Sequence, residues 1–488
     1  MRRTIVLAGL LGGLLAASRA EAQAPPAAPG KIALGDWQLT PHAEVRLRGE
    51  YRRDAPDLGG LDFYGRLSRR VRDAWVVFER TRIGMGAERG PVRTQITIQD
   101  ARPFGVPSPT ATLGGARGLA QIAPYEAFAE IRSSGARPSY LRLGRQAVVW
   151  GEGRLVGRAD FAPTGRSLDA ARAQLAVGRF DFEALAAILE PPTVLGSAFE
   201  DRFGPELAGV QLYGLAGTWN VDPLLRVQAF ALARVSRSGG AFLDGSRFMA
   251  ARLSGETYTG ALRVSGEAKG WDYGLEGAYQ LGNAASLSVG GTDIAAWAAA
   301  AHVQKTLPEV TLTPTLRVAG SYASGDEAGG KYTQFDPLLP DPQRFHGQMD
   351  LFAWSNLMDV TAGASVVPFT DTTFGVAYRY ARLAQARGEW IGGYLQAIGR
   401  VHPTPGIAAP QAPPVTADAE LGHEIDVALA WRPWLPLELR AGYSALVLGE
   451  GAKAIMAAQA RGKREDDNSI SPASVAQYVF GQATLTVP

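Results

Sequence analysis

The residue type with the clearest capacity for chemistry in this sequence is arginine, and many arginines are spaced two residues apart. Arg46 and Arg48 show this spacing, as do Arg80 and Arg82. A guanidinium group keeps its charge at any relevant pH and can bind a carboxylate through two parallel hydrogen bonds. A set of such groups on one surface would therefore attract anions and hold carboxylates.

Charge is divided unevenly along the chain. Residues 31–180 contain 24 lysines and arginines, of which only Lys31 is a lysine, against 15 acidic residues. Residues 181–488 contain 22 basic and 31 acidic residues. The sequence therefore predicts one arginine-rich region in a protein whose formal net charge is only +2.

Alternation of apolar and polar residues indicates how these arginines would be positioned. In residues 37–52, Val45 and Leu47 share one parity, while Arg46 and Arg48 share the other. A helix would place those residues on overlapping faces, so the alternation predicts a strand. We count roughly eighteen such segments, each near the 9–11 residues that a tilted transmembrane strand needs. Further examples are residues 92–99, 258–267, 271–281, 310–322, 421–431 and 479–487.

These segments predict an all-β fold, a transmembrane antiparallel β-barrel of about eighteen strands. After the first two dozen residues, no run of about 18 apolar residues lacks a charge, which excludes a bundle of transmembrane helices. Closure into a barrel removes the exposed edges that so many long strands would otherwise present. An arginine on the lipid face would cost about 2–4 kcal/mol at the midplane of the membrane. We therefore expect the alternate positions that carry the arginines to face the lumen.

The N-terminus is typical of a secreted protein. A short basic start, Met1-Arg2-Arg3, precedes an apolar stretch and an A-x-A cleavage site at residues 20–22. We predict a cleaved signal peptide over residues 1–22, a Pro/Ala-rich linker over 23–36 and the barrel over 37–488. The chain has no cysteine, which excludes disulfides, thiolate metal sites and cysteine nucleophiles.

A block of motifs between residues 144 and 172 resembles the signature segment of a known family. It reads GRQ at 144–146, WGEGRLVG at 150–157, DF at 160–161 and TGRSLDAAR at 164–172. Further matches lie at 322–326, 335–337, 347–350, 356–357 and 421–426. From about residue 40 onward, the chain resembles the alginate export family of Gram-negative outer-membrane barrels.

The resemblance implies an eighteen-stranded monomeric barrel whose arginine-lined constriction passes an anionic polyuronate outward. The motif block then supplies candidates for that constriction or for its supporting ion pairs. These candidates are Arg145, Glu152, Arg154, Asp160, Arg166, Asp169 and Arg172. Together with Arg46, Arg48, Arg80 and Arg82, they form the predicted pore-lining and substrate-binding set. The acids among them leave two compatible interpretations: ion pairs that fill and stiffen the lumen, or a charged sector that attracts anions.

One alternative from another class is an outer-membrane barrel hydrolase. The chain has five histidines, which are His42, His302, His346, His402 and His423. A Ser-His-Asp or Asp-His arrangement is recognised by geometry, which the sequence does not supply. No H-E-x-x-H or similar ligand spacing occurs, so we expect neither a metal nor a cofactor. Alternation places His423 with apolar residues, which predicts a strand-end histidine at the membrane interface.

The sequence therefore favours a non-enzymatic passive diffusion channel in the outer membrane of a Gram-negative bacterium, with an arginine-rich lumen sector for carboxylate-bearing solutes or polyuronate. A general porin for small uncharged or aromatic solutes is the first alternative, and the hydrolase is the second. The expected partners are outer-membrane lipid, lipopolysaccharide and an anionic solute or polysaccharide. Flux would follow the solute gradient or an upstream periplasmic export machine. Nucleic acid is not an expected partner, because these arginines are interleaved in strands of a secreted protein.

Overall fold

The computed structural model of the protein describes most of the chain. The described ranges are 30–59, 73–104, 122–193, 208–236, 255–286, 289–326, 330–386, 388–393, 395, 397–400, 418–461 and 473–487. The predicted signal peptide and the first seven residues of the predicted linker lie outside these ranges.

Eighteen long strands run through the described residues, as the alternation predicts. They are β1 (Trp37–Arg53), β2 (Asp73–Arg89), β3 (Val92–Phe104), β4 (Ala123–Arg132), β5 (Tyr140–Gln146), β6 (Leu168–Val177), β7 (Phe180–Thr193), β8 (Ala208–Asp222), β9 (Leu225–Ser236), β10 (Gly255–Ala268), β11 (Trp271–Ser286), β12 (Val289–Thr306), β13 (Thr315–Ala323), β14 (Leu357–Val366), β15 (Thr372–Leu383), β16 (Glu420–Trp434), β17 (Leu437–Leu448) and β18 (Val475–Val487).

Each strand pairs antiparallel with its neighbours in the chain, and the last strand pairs with the first. The closing ladder runs from Ala43 opposite Val487 to Arg53 opposite Gln477. The fold is therefore a closed antiparallel barrel, in which every long strand has a partner on both sides.

The two ends of the barrel differ in the length of their connections. At one end, two-residue turns link several strands; in one of them Lys269 and Gly270 both have positive φ, as tight hairpins require. At the other end, long segments link the strands, including residues 147–167, 324–356, 384–419 and 449–474. The helix α1 (Glu450–Arg461) and the 3₁₀ turns Pro56–Gly59 and Pro342–Arg344 belong to this end.

The two faces of the wall have opposite chemistry. Apolar side chains such as Ile83 and Leu262 point outward and are 62% and 53% exposed, whereas Arg48 and Arg80 point inward and are buried. In this arrangement, the set of alternate positions that carries the arginines of β1 and β2 faces the lumen. Outward aromatic side chains lie near both ends of the strands, where membrane interfaces would be. Those near the short turns include Phe180, Trp219, Trp271 and Trp434, and those nearer the long connections include Tyr51, Trp75, Tyr258 and Tyr378.

Two details differ from the predicted boundaries. A short strand, Ile32–Leu34, pairs with Trp37–Leu39 inside the predicted linker. The strand predicted over 310–322 begins only at Thr315, because Leu312 and Thr313 adopt positive φ in a turn. Left-handed backbone at two successive residues is incompatible with an extended strand. Within the described residues, no helix is long and apolar enough to cross a membrane.

Candidate functional site

Two of the long connections fold into the lumen. We call residues 147–167 the first inner segment, and residues 324–326 and 330–356 the second inner segment. The two run side by side: the amide of Gly157 donates to the carbonyl of Leu339, and the amide of Leu339 donates to the carbonyl of Leu155. Apolar inner residues pack on apolar wall positions, as Trp150 does on Phe230 at a ring distance of 6.0 Å. The lumen therefore contains an apolar core as well as charged groups.

The centre of the candidate site is Asp160, on the first inner segment. Its Oδ1 lies 3.1 Å from Nη1 of Arg80 and 3.0 Å from Nη1 of Arg82. Its Oδ2 lies 3.8 Å from Nη2 of Arg158, and Arg46 donates to its backbone carbonyl at 2.7 Å. Among the described residues, the one other carboxylate that is hydrogen-bonded to these four arginines is Glu44, which accepts from Arg80. We call these six residues the basic sector; it carries four positive and two negative charges.

Electrostatics keep the central carboxylate ionised. Burial alone would raise the pKa of the Asp160 carboxyl, but the guanidiniums of Arg80 and Arg82, followed by those of Arg158 and Arg46, hold that pKa well below its usual range. In return, the Asp160 carboxylate raises the pKa of Arg158. Both sites therefore stay charged at every physiological pH.

Further arginines of β1 hold inner segments by their backbone. Arg48 donates to the carbonyl of Phe161 and to Glu50. Arg52 donates to the carbonyl of Met349, on the second inner segment, at 2.8 Å. These side chains are buried and paired, so they position the segments rather than offer free charge.

A second charged group surrounds Glu152, at the tip of the first inner segment. Its Oε1 accepts a hydrogen bond from Nη2 of Arg263 at 2.7 Å and lies 3.7 Å from Nε2 of His302. Arg154 approaches its Oε2 at 3.9 Å and lies 4.0 Å above the ring of Phe345. Burial alone would raise the pKa of Glu152, but Arg263 and the other neighbouring cations hold it below its usual range.

Arg166 joins the two inner segments. Its Nη1 donates to the carbonyls of Gly157, Leu339 and Pro340 at 2.9, 2.6 and 2.9 Å. Burial lowers its pKa to about 10, so the side chain remains protonated at neutral pH. Its observed role is to clamp the two segments together.

The remaining predicted residues lie apart from this site. Arg172 faces the lumen and donates a hydrogen bond to Glu183. The same carboxylate also accepts a hydrogen bond from the indole N–H of Trp150. Arg145 and Asp169 pair with each other at 2.8 Å, but they lie on the outward parity of β5 and β6, and Asp169 is 57% exposed. This position differs from the expectation that both line the lumen; Arg145 shares the parity of Leu143, which the alternation alone would have revealed.

Three acidic residues of the second half of the chain lie together. Asp359, Glu424 and Asp426 face inward from β14 and β16 and are almost fully buried. Arg379 of β15 pairs with Asp359, lies 3.8 Å from Glu424 and donates to the carbonyl of Phe345 at 3.0 Å. We call these four residues the acidic sector, and residues 345–350 of the second inner segment cover it.

Sequence reasoning missed several residues of these groups. Arg158 lies inside the motif block, between WGEGRLVG at 150–157 and DF at 160–161, so the same pattern could have pointed to it. Arg263 has the polar parity of β10, so alternation places it in the lumen without naming its partner. Arg344 donates to the backbone of Glu152, but it lies in an irregular segment where no sequence pattern points to it.

The described histidines do not form a Ser-His-Asp arrangement; His302 makes an Asp-His contact with Asp272 at 3.0 Å, at the short-turn end of β11 and β12. His346 lies 3.6 Å from Asp359, yet Ser321 donates to that same carboxylate instead of to the imidazole. Thr97 and Gln95 both contact Nε2 of His42. His423 faces outward, in contact with Tyr378 and Glu420, and His402 lies outside the described residues. Within the described ranges, no group of three acidic or histidine side chains is arranged to hold a metal ion.

Comparison with known families identifies the lineage of this barrel. The sequence pattern of the family described as alginate export matches residues 38–463. The chain belongs to the alginate export family. It is accordingly a β-barrel of the Gram-negative outer membrane, with the short turns towards the periplasm and the long connections towards the outside. No curated protein matches the chain significantly.

Solved structures with the same fold are outer-membrane porins of the Occ/Opd type. OccK9 (OpdG) of Pseudomonas aeruginosa superimposes with a TM-score of 0.55 at 11% identity, over 92% of this chain and 98% of that one. OccAB2 of Acinetobacter baumannii gives 0.51 at 12% identity, over 91% and 97%. OccK2 (OpdF) of P. aeruginosa, solved in complex with glucuronate, gives 0.51 at 10% identity, over 92% and 98%. At such identities the likeness shows the fold alone.

Proposed function

We propose that this protein is a passive diffusion channel that favours carboxylate-bearing anions, including uronates and polyuronate. The observation that carries the proposal is the basic sector. Among the described residues, only two carboxylates, those of Glu44 and Asp160, lie within 4 Å of these four arginines, so the sector carries a surplus of positive charge; Asp341 acts on Arg158 from farther away. Such a surplus, placed between low-dielectric walls, raises the local concentration of anions.

A solute would meet the basic sector rather than the acidic one. The side chains of Arg158 and Asp160 are 33% and 25% exposed, whereas those of Asp359 and Glu424 are 4% and 0% exposed. Because the acidic sector lies beneath the second inner segment, it offers no surface to a passing molecule. Within the basic sector, the side chains most in contact with water are those of Arg158 and Asp160, and the surplus charge beneath them is positive.

The proposal also includes the partners, the oligomeric state and the driving force. The outward apolar belt faces outer-membrane lipid and lipopolysaccharide, and the barrel acts as a monomer. Transport follows the solute gradient or an upstream periplasmic export machine. That a barrel of this fold accommodates glucuronate, as OccK2 does, agrees with a uronate as solute.

The test is the reversal potential of the purified protein in a planar bilayer under a potassium chloride gradient, followed by glucuronate or polyuronate on either side. We expect anion selectivity and block of the chloride current. Arg158→Gln should reduce both. Arg132→Gln is the matched control, because the Arg132 side chain is similarly exposed (30%) and also pairs with a carboxylate. It should reduce neither, because Arg132 lies at the opposite, short-turn end of the barrel.

Other outcomes would replace the proposal. Conductance without selectivity or block would identify a general porin, and equal effects of the two arginine variants would remove the basic sector as its cause. Absence of conductance would contradict the channel itself.

A further inference from the structure

We infer that Asp160 is a tethered competitor for the carboxylate of the permeating solute, and that its displacement exposes an anion subsite formed by Arg82, Arg158 and Tyr125. This inference rests on the proposed function, because it names the subsite at which the anionic solute would bind. It adds a regulatory element: the chain carries its own anion at that point.

The carboxylate of Asp160 contacts its arginine partners at unequal distances. Oδ1 is shared by Arg80 and Arg82 at hydrogen-bond distance, whereas the 3.8 Å between Oδ2 and Arg158 is too long for a hydrogen bond. Among the described residues, Asp160 is the sole acid paired with Arg158. The donors of Arg158 therefore remain available to a second carboxylate, and a third of its side chain is exposed to receive one.

Tyr125 supplies an independent indication of a ligand. It is 8% exposed, and its hydroxyl is buried without a hydrogen-bond partner. The guanidinium of Arg82 lies 3.5 Å above its ring, and the charges that act on it are those of Arg82, Asp160, Arg158 and Arg80. A buried phenol without a partner is costly, and a carboxylate in this position would accept a hydrogen bond from the Tyr125 hydroxyl.

The inner segment does not need the Asp160 carboxylate to remain docked. Arg46 holds the backbone carbonyls of residues 160 and 162 at 2.7 and 2.8 Å. Arg48 holds the carbonyl of Phe161, and Arg82 holds that of Thr164 at 3.1 Å. The Asp160 side chain can therefore turn away while the segment stays in place, and its exposed edge gives it room to do so.

Exchange between an internal and an external carboxylate has a functional consequence. A channel needs a site that binds strongly enough to admit a solute and weakly enough to release it. A tethered anion is present at high effective concentration and returns as soon as the solute leaves. Asp160 would thus weaken net binding while preserving the positive sector that recruits the solute.

The test measures the concentration of glucuronate that halves the chloride current, in the full-length protein in planar bilayers. Asp160→Asn should lower this concentration on the order of tenfold, because the competing anion is gone. The matched control is Asp336→Asn on the second inner segment. Asp336 is also 25% exposed and also pairs with a lumen arginine, Arg234, at 2.7 Å, but it lies outside the basic sector, so its variant should change the value less than twofold (about the effect of one remote charge).

A second variant separates the subsite from simple loss of charge. Tyr125→Phe should raise the blocking concentration relative to its parent, whether that parent is the wild type or Asp160→Asn. It should leave the reversal potential of that parent in chloride unchanged. Equal effects of the two aspartate variants, or weaker block in Asp160→Asn, would show that Asp160 is only a fixed anchor. The reversal potential of the wild type tests the proposed function separately, while the ratio of variant to wild-type block tests this inference.

Discussion

Arg166 offers the sharpest test of how the inner segments are held. One of its nitrogens donates to three backbone carbonyls, one from the first inner segment and two from the second. Arg166→Met would keep most of the side-chain volume and remove all three donations. We therefore expect the contact between Gly157 and Leu339 to open more often, with the barrel wall intact.

The size of the effect follows from the bonding and the burial. A hydrogen bond from a charged group contributes about 1.5–3 kcal/mol, but three acceptors share one nitrogen here, so the contributions do not add in full. Substitution also relieves the burial that lowers the pKa of Arg166 to about 10. We take about 2 kcal/mol for the whole residue, which corresponds to a roughly 30-fold larger open population.

Amide hydrogen exchange measures this opening directly. The amides of Gly157 and Leu339 each donate across the junction of the two segments, so both should exchange about 30-fold faster in Arg166→Met, the factor that corresponds to about 2 kcal/mol. Arg137→Met is the matched control, because Arg137 also donates to backbone carbonyls, at an exposed turn. Unchanged exchange at both amides, or the same change in the control, would refute the role of Arg166 as a clamp.

Two further predictions concern the charged tip and the covered sector. For Glu152→Gln, the loss in heat-unfolding midpoint in detergent should be constant above about pH 5 and should shrink below pH 4.5. The reason is that burial raises the pKa of Glu152, but Arg263 together with the other neighbouring cations outweighs burial and holds that pKa below its ordinary 4.5. A loss that stays constant down to pH 3 would contradict this. Gly347→Ala should lower the midpoint more than Gly135→Ala. Both glycines have positive φ, but a Cβ at Gly347 would lie 2.5 Å from Glu424, whereas Gly135 faces open space.

The wall of the barrel was predictable from local pattern. Strand parity is a property of a few consecutive residues, and the cost of a guanidinium in lipid decides which parity faces inward. This reasoning placed Arg46 and Arg48 in the lumen and His423 on the outer face. It would also have excluded Arg145, had parity been given precedence over the motif block.

The strands of the second half illustrate where local pattern ends. Val310 and Leu312 continue the alternation of β13, yet they lie in a turn because Leu312 and Thr313 adopt left-handed backbone. Alternation records which residues could share a face, whereas the position of a turn depends on the register that neighbouring strands impose.

The fold class, the orientation of the wall residues and the family could all be inferred from local sequence. Only the tertiary structure decided which charges meet, since Arg46 and Asp160 are 114 residues apart in the chain. Arginine was recognisable as a charge, but whether it stays partly exposed in the lumen, as Arg158 does, or bridges two segments, as Arg166 does, depends on where the inner segments dock. Docking is set by the combined fit of many distant surfaces, and no local pattern encodes it.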